Sequence, residues 1–201
     1  MKPHIIFLSF LFHHDATFRC YNAAKNWQIG WYNDAKYALA TNDGLGSFAP
    51  TELTMVGVAE YNIRGDRPVT VKLETGSSTD YYIGYNRAIG ANSQNDEADN
   101  EVTVTTAGSN GESYSQSFLK ATLLQGESYS ISNFAGTGKA LTITATAIDS
   151  TSTPGVATIC VAYETTSCTP STPQPTPLPT TGQVSHHICC HLLKSFGFPF
   201  Y

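Results

Sequence analysis

The sequence predicts an all-β fold, an antiparallel β-sandwich (Ig-like or jelly-roll-like) preceded by a short helix. Apolar and polar residues alternate along several short runs within residues 50–168, which is typical of strands with one buried face. No helical period separates these runs, so the strands are expected to pair antiparallel. Ser, Thr, Gly, Asn and Tyr are abundant, as they are in extracellular β-proteins.

The composition is sparsely charged and mildly acidic. The chain of 201 residues has 11 Lys and Arg against 16 Asp and Glu, a formal net charge of −5. This balance argues against a nucleic acid partner, because phosphate binding needs clustered basic residues. No stretch approaches the roughly 20 apolar residues that span a membrane as a helix. The length suits one sandwich-sized domain with tails.

Residues 1–19 have two interpretations. Lys2 and the apolar run Ile5–Phe12 are typical of a secretory signal peptide. His14 and Asp15, however, stand where small residues should precede the cleavage site. The segment is therefore either a signal-like leader or a mis-assigned start, and the two readings remain open.

The first predicted element is a short helix from Asn22 to Trp31. Asn22 can cap its start, and the Ala, Lys and Gln residues that follow favour a helix. Gly30 indicates where the helix ends. Trp27 and Trp31 are four residues apart, so we expect them to share one helix face. We interpret that face as a packing or docking surface.

Eight strands are predicted after residue 50. Val69, Val71 and Leu73, for example, alternate with Thr70 and Lys72, which indicates one buried and one exposed face. Clusters of Gly, Asn, Asp and Ser separate the runs and predict turns. The predicted strands are Glu52–Tyr61, Pro68–Thr75, Asp80–Asn86, Glu101–Ala107, Ser113–Leu124, Glu127–Ser132, Ala140–Ile148 and Gly155–Tyr163.

Tyrosines on the third predicted strand form a candidate ligand face. Tyr81 and Tyr85 are expected on one side of this strand and Tyr82 on the other. Stacked tyrosines can grip a sugar ring or a peptide. The alternative is that they are core on one side and cross-strand packing on the other.

An acidic loop is the candidate metal site. Four carboxylates crowd into six residues, and calcium binds six to eight oxygen ligands, so calcium is a candidate cofactor here. The alternative is a solvated loop tip without metal. Arg87, which precedes the loop, is expected to pair with it. The four acidic residues are Asp96, Glu97, Asp99 and Glu101.

The cysteines and the C-terminal composition suggest an extracellular protein. Of five cysteines, Cys160 and Cys168 enclose seven residues at the end of a predicted strand, which favours a local disulfide in an oxidising compartment. Cys20 has no obvious partner in the sequence. Residues 169–182 form a Thr/Pro-rich stalk that is expected to be extended, and residues 183–201 an unstructured tail.

Four motifs, in order, resemble those of the gametolysin-like zinc metallopeptidases, a secreted family of algae and diatoms. The first contains the run Trp27-Gln-Ile-Gly-Trp31, which is similar to the family's Trp-Gln-(Leu/Ile)-Gly-Trp. The second is similar to the family's Tyr-Tyr-x-x-(Phe/Tyr)-Asn-Arg-x-x-Gly-x-Asn. The four motifs are Cys20–Tyr32, Asp80–Asn92, Gly111–Phe118 and Gln125–Ile131.

The resemblance implies a secreted zinc endopeptidase that acts on extracellular matrix or cell-wall proteins. Residues 20–49 would be the end of the peptidase-like domain, and residues 50–168 a separate β-sandwich domain. The family's zinc ligands and general base match no position here, because the chain has no His-Glu-x-x-His. The resemblance therefore implies an accessory region with no catalytic or cofactor-binding residues of its own. Zinc would be bound by the full-length family and not by this chain.

Two functions follow from these expectations. The first is the accessory region, with the catalytic domain of the parent peptidase or an extracellular glycoprotein as partner. The alternative is a non-enzymatic extracellular adhesion or carbohydrate-binding module that uses the tyrosine strand and the calcium loop. The two differ over the Trp27/Trp31 face. A docking face should be exposed, whereas a free-standing module should bury it.

Overall fold

The computed structural model describes residues 20–39, 50–95, 97–108, 115–163 and 168. Within them, two sheets pack face to face and a short helix lies at the N-terminal side, which confirms the predicted all-β sandwich. The predicted segments 1–19, 169–182 and 183–201 lie outside the described residues.

The described residues contain one α-helix, α1 (Ala23–Ile29), and nine strands. Each predicted strand has a counterpart, and one further strand, β1, precedes them. The strands are β1 (Lys36–Leu39), β2 (Thr51–Val56), β3 (Thr70–Leu73), β4 (Asp80–Tyr85), β5 (Val102–Ala107), β6 (Ser117–Leu123), β7 (Ser128–Ile131), β8 (Leu141–Asp149) and β9 (Val156–Tyr163).

The strands form a five-stranded and a four-stranded sheet. The order is β1-β3-β4-β5-β6 in the first sheet and β2-β9-β8-β7 in the second. Neighbouring strands are antiparallel except for β1, which pairs with β3 in parallel. The segment 20–49, assigned from the sequence to a peptidase-like domain, thus contributes an edge strand to the sandwich.

The core lies between the two sheets. Val71, Ile83 and Val104 from the first sheet and Ile143 and Ile159 from the second are all 0 % exposed. Burying each such side chain contributes roughly 1.5–3 kcal/mol to the free energy of unfolding. The period-two pattern therefore fixes which face of each strand points inward.

Two predicted elements end earlier than expected. The strand predicted over residues 52–61 stops at Val56, and 3₁₀-helical turns follow over Val58–Ile63. The predicted helix stops at Ile29, because Gly30 adopts a left-handed backbone with φ 77° and its N–H bonds to the Asn26 carbonyl. Trp31 therefore lies beyond α1, and the expectation that it shares a helix face with Trp27 is wrong.

The predicted disulfide is present. Cys160, on β9, bonds to Cys168, with the two Cα atoms 5.8 Å apart. The pair closes a short ring after the last strand and ties residue 168 to the four-stranded sheet. In the part of the chain that the structure describes, no helix is long and apolar enough to cross a membrane.

Candidate functional site

A cleft of about 450 Å³ opens between two turns, one from each sheet. The first turn connects β3 to β4 and contributes residues 75–77 and 79. The second turn begins at the end of β7 and contributes residues 131–136. Tyr81, on β4, completes the lining. We treat this cleft as the candidate functional site.

The first turn is held by a chain of hydroxyl groups. The Thr75 hydroxyl lies 2.7 Å from that of Ser77 and donates to the Thr79 carbonyl at 2.7 Å. The Asp80 carboxylate accepts the Thr75 N–H at 2.9 Å. The same carboxylate lies 3.0 Å from the Lys72 ammonium, which balances its charge. The turn is therefore preorganised, with hydroxyl groups at the edge of the cleft.

The second turn contains two non-glycine residues with a left-handed backbone. Asn133 has φ 50° and Ala135 has φ 53°. Asn tolerates this region because its side chain bonds locally, and here the Asn133 side-chain oxygen accepts the Gly138 N–H at 2.6 Å. Ala135 has no such bond, so its conformation costs on the order of 1 kcal/mol. Strain of this kind concentrates at functional sites.

Aromatic rings form the deeper wall of the cleft. Phe134 is 1 % exposed, and its ring centroid lies 6.3 Å from that of Tyr81 and 6.1 Å from that of Tyr163. Tyr81 is half-buried. Burial, with a smaller contribution from neighbouring Tyr129, raises the pKa of the Tyr81 hydroxyl. This hydroxyl therefore stays protonated at neutral pH and can donate a hydrogen bond.

Several polar groups of the lining have no partner among the described residues. They are the Asn133 amide nitrogen, the Ser132 hydroxyl and the Tyr81 hydroxyl. Ser132 and Asn133 are exposed, so water reaches both. No lining residue carries a formal charge. The cleft can thus offer donors, acceptors and an aromatic edge to an uncharged ligand.

The structure separates the two tyrosines of the predicted ligand face. Tyr81 lines the cleft, whereas Tyr85 is 4 % exposed and belongs to the core between the sheets. Both side chains point to the same side of β4, but Tyr85 lies at the opposite end of the strand from Tyr81. Only Tyr81 can contact a ligand, and the assignment of Tyr85 to a ligand face is corrected.

The helix residue Trp27 packs on the five-stranded sheet. Its ring centroid lies 6.1 Å from that of Tyr82, which is fully buried. The Lys36 ammonium sits 4.7 Å from the ring centroid and donates to the Trp27 carbonyl at 2.7 Å. The Lys72 ammonium lies 5.7 Å from the ring centroid. Trp27 is thus a packing residue, held by the sheet and two cations.

Trp31, by contrast, is 43 % exposed. It follows Gly30 in the turn after α1, and its ring centroid lies 5.5 Å from that of Tyr21. The two tryptophans therefore have different environments. Trp27 is the packing residue, and Trp31 is available to a partner.

The acidic loop is mostly exposed. Glu97 and Asp99 are exposed and Glu101 is half-buried, while Asp96 lies outside the described residues. Among the residues that the structure describes, no group of three or more His, Cys, Asp or Glu side chains is arranged to hold a metal ion. The calcium site stays a prediction.

Arg87 bonds to this loop through the Asn100 side chain and pairs its charge with Glu60. It is buried, and its guanidinium lies 3.3 Å from the Glu60 carboxylate and donates to the Asn100 side-chain oxygen at 2.8 Å. It occupies a narrow slot, since a Cβ added at Gly57 or Gly155 would lie within 2.5 Å of it. Arg87 thus bonds to the loop through Asn100, while its ion-pair partner is Glu60.

Sequence reasoning missed most of the cleft. Tyr81 was the only lining residue singled out from the sequence. Ser77, Ser132, Asn133 and Phe134 lie in or beside turns, and the cleft forms only when two distant turns meet. One signal was present, because Phe134 stands alone among small and polar residues between predicted strands.

Comparison with protein-family models, curated proteins and solved structures finds no match to this chain. The resemblance to gametolysin-like peptidases therefore stays a prediction from the sequence motifs.

Proposed function

We propose that this chain is the non-catalytic C-terminal accessory region of a secreted gametolysin-like zinc metalloendopeptidase. Its role is to dock on the catalytic domain through the α1–β1 face, the name we give to the edge of the five-stranded sheet that carries Ile29 and Trp31 on the α1 side and Tyr37 on the opposite side. The observation that carries this proposal is the exposure of these three side chains next to a sheet edge.

The α1–β1 face is rich in exposed apolar side chains. Ile29, Trp31 and Tyr37 are 36 %, 43 % and 40 % exposed. They account for three of the six large exposed hydrophobic residues in the described part of the chain. Exposed Trp and Tyr are enriched at protein interfaces, where they supply much of the binding energy.

The face lies beside an edge strand. Among the described residues, β1 pairs with β3 only, so it is the edge strand of the five-stranded sheet. Natural proteins usually cover such an edge, because an open strand can pair with another chain. A docked catalytic domain would cover both the edge and the aromatic side chains.

The α1–β1 face is also held in place by the sandwich. Lys36, at the start of β1, bonds to the Trp27 carbonyl and so ties the strand to the helix. The Gly30 cap fixes the turn that carries Trp31. A surface that is ordered before binding loses less conformational entropy on docking.

The proposal assigns no chemistry to the chain. The sequence offers no His-Glu-x-x-His, and zinc hydrolysis needs fixed protein ligands and a carboxylate that activates the bound water. In this proposal the catalytic domain supplies that site. The accessory region positions substrate, extracellular matrix or cell-wall protein, and stabilises the domain on which it docks.

Calorimetric titration of the purified chain with a separately expressed gametolysin-like catalytic domain tests the proposal. We expect binding, and we expect Trp31→Ala and Tyr37→Ala each to weaken it by at least about tenfold. Phe118→Ala is the matched control, because Phe118 is 41 % exposed on β6, at the opposite edge of the same sheet. Absence of binding by the folded chain, or an equal loss with Phe118→Ala, contradicts the proposal.

A free-standing extracellular module remains the second candidate, and one observation favours it. The inner face of α1 is already covered, since Ala23 and Ala24 are 4 % and 0 % exposed against the chain's own sheet. If the titration shows no binding, this second candidate replaces the first.

A further inference from the structure

The cleft between the β3–β4 turn and the turn after β7 has an uncharged lining. Its side chains are hydroxyl, amide, aromatic and small apolar groups. The Asp80 carboxylate, which accepts the N–H of the lining residue Thr75, is buried and paired with Lys72. A charged ligand would find no opposite charge in this lining, so the electrostatics favour a neutral one.

The polar groups of the cleft match a ligand that is rich in hydroxyls. Ser132 and Tyr81 offer hydroxyls that both donate and accept, and the Asn133 amide nitrogen offers two donors. None of these groups has a partner in the described part of the chain. Ser77 adds a hydroxyl from the facing turn. Neighbouring hydroxyls of a sugar likewise both donate and accept, so one ring can satisfy several of these groups.

The size and the lining of the cleft suit a sugar ring. Gly76 and Gly136 lie on opposite turns, and a Cβ added to either would meet no described heavy atom within 4 Å. The glycines therefore leave the entrance open. Tyr81 presents a half-buried aromatic surface, backed by Phe134. The volume of about 450 Å³ falls within the range of small-molecule sites, roughly 300–1,000 Å³.

From this combination we propose that the cleft binds a neutral saccharide. The Asn133 amide and the Ser132 hydroxyl bond to sugar hydroxyls, and the apolar face of the ring packs against Tyr81. The bond from the Gly138 N–H to the Asn133 side-chain oxygen, at 2.6 Å, holds the amide in place before the ligand arrives. This inference does not depend on the docking of the α1–β1 face, which lies on other residues.

The test is a titration of the full chain with neutral hexasaccharides, using cellohexaose, laminarihexaose, mannohexaose and xylohexaose as probes. We expect at least one to bind at micromolar to millimolar concentration. In nuclear magnetic resonance spectra, its shifts should cluster at Tyr81, Ser132 and Asn133. If none binds at millimolar concentration, the proposal is overturned. Binding of an unrelated extended peptide at the same residues, without any saccharide binding, also overturns it.

The decisive variant is Asn133→Asp. It keeps the oxygen that accepts the Gly138 N–H and still tolerates a left-handed backbone, but it loses the amide donor. We expect saccharide affinity to fall roughly 5–10-fold, and Ser132→Ala to act in the same direction. The melting temperature of each variant verifies that it is folded.

Two controls accompany these variants. One changes the backbone of the turn without removing a polar group, and the other changes the α1–β1 face. Ala135→Gly relieves the strained backbone of the same turn without removing a polar group, so it should keep the affinity. Trp31→Ala should leave saccharide binding unchanged and affect docking only. Unchanged affinity in Asn133→Asp together with Ser132→Ala, in folded protein, would place the ligand elsewhere and refute the assignment.

Discussion

A single buried ion pair joins three loops of the sandwich. The side chains of Arg87 and Glu60 are 10 % and 5 % exposed, and the Gly155 N–H donates to the same carboxylate oxygen of Glu60 at 2.9 Å. Glu60 lies after β2, Arg87 after β4 and Gly155 before β9. Removing one partner of such a pair leaves a buried charge uncompensated, which typically costs about 3–5 kcal/mol. The pair therefore couples both sheets at this end.

Substitution of Gly57 tests how closely the surrounding residues pack around Arg87. Gly57 has φ −72° and ψ 150°, which alanine adopts freely, so the effect of Gly57→Ala is steric. The new Cβ would lie 2.3 Å from the Arg87 Cβ and 3.1 Å from the Tyr85 carbonyl oxygen. Because the Cβ of Arg87 cannot move independently of its backbone, we expect a loss of about 3 kcal/mol in the free energy of unfolding.

Chemical denaturation of this variant and of Gly108→Ala gives the comparison. At Gly108 the added Cβ meets its nearest atom, the Ser78 carbonyl oxygen, at an ordinary 3.8 Å. The control should therefore change stability by less than about 1 kcal/mol. A Gly57→Ala variant as stable as the control would show that Arg87 has room to move.

Local chemistry was predictable at the residue scale, and distant pairing was not. The Asn22 cap depends on residues three apart, and its side chain accepts the Lys25 N–H at 3.0 Å as expected. The Arg87 partner lies 27 residues away, in a segment that the alternation pattern assigned to a strand. The acidic loop is closer to Arg87 in the sequence, but the carboxylate that is buried beside its guanidinium is that of Glu60.

At the scale of elements, the helix approaches its sheet closely because of one glycine. A Cβ added at Gly84, on β4, would lie 3.0 Å from the Cβ of Ala23. Ala23 and Ala24 pack on this strand together with Tyr82. Small residues on both surfaces thus let α1 lie directly against the five-stranded sheet.

Gly84→Val should therefore push α1 away from the sheet. The added Cβ and its two methyl groups exceed the space at Ala23, so we expect a loss of about 2 kcal/mol in the free energy of unfolding. Because Trp27 lies on the sheet beside Tyr82, its fluorescence should shift to the red as water gains access. Thr122→Val on exposed β6 is the control and should leave both quantities nearly unchanged. An unshifted spectrum and an unchanged stability in Gly84→Val would refute close packing.

Alternation predicted the strands, but the exposed face expected on β3 is wrong, because Thr70 and Lys72 are 0 % and 8 % exposed on the side that α1 covers. The exception among the strands was β1 (Lys36–Leu39), in which neither the sequence Lys-Tyr-Ala-Leu nor the burial alternates. Its strand conformation depends on parallel pairing with β3, which no local pattern encodes. The end of α1 is a second example. Gly30 predicts that the helix ends there, but not where the Trp31 side chain lies after the turn.

At the scale of the whole molecule, the sandwich was predictable and the cleft was not. Two inward faces of alternating residues suffice to specify a sandwich. The cleft instead requires residues 75–79 and 131–136 to meet, and neither turn has a distinctive sequence by itself. The candidate site of this fold is thus formed by turns that the scaffold brings together.

Metal binding is a property of the whole molecule that bears on both proposed functions. Calcium would bind to the acidic loop of this chain, whereas zinc would bind to the catalytic domain of the full-length peptidase. Glu97, Asp99 and Glu101 lie on one short exposed or half-buried segment, so their mutual repulsion opposes folding. A calcium ion that neutralises them should stabilise the chain. With a dissociation constant of about 1 mM, as in extracellular modules, calcium at about 10 mM would raise the melting temperature by about 3–5 °C.

Thermal melts with and without metal verify this prediction. Asp96→Asn combined with Asp99→Asn should abolish the calcium effect, whereas Asp66→Asn, an exposed carboxylate outside the loop, should preserve it. Zinc should produce no chelator-sensitive cleavage of a protein substrate, because the sequence supplies no ligand set for it. If calcium leaves the melting curve unchanged, the loop is a solvated tip that binds no calcium. Zinc-dependent proteolysis by the chain alone would overturn its assignment as an accessory region.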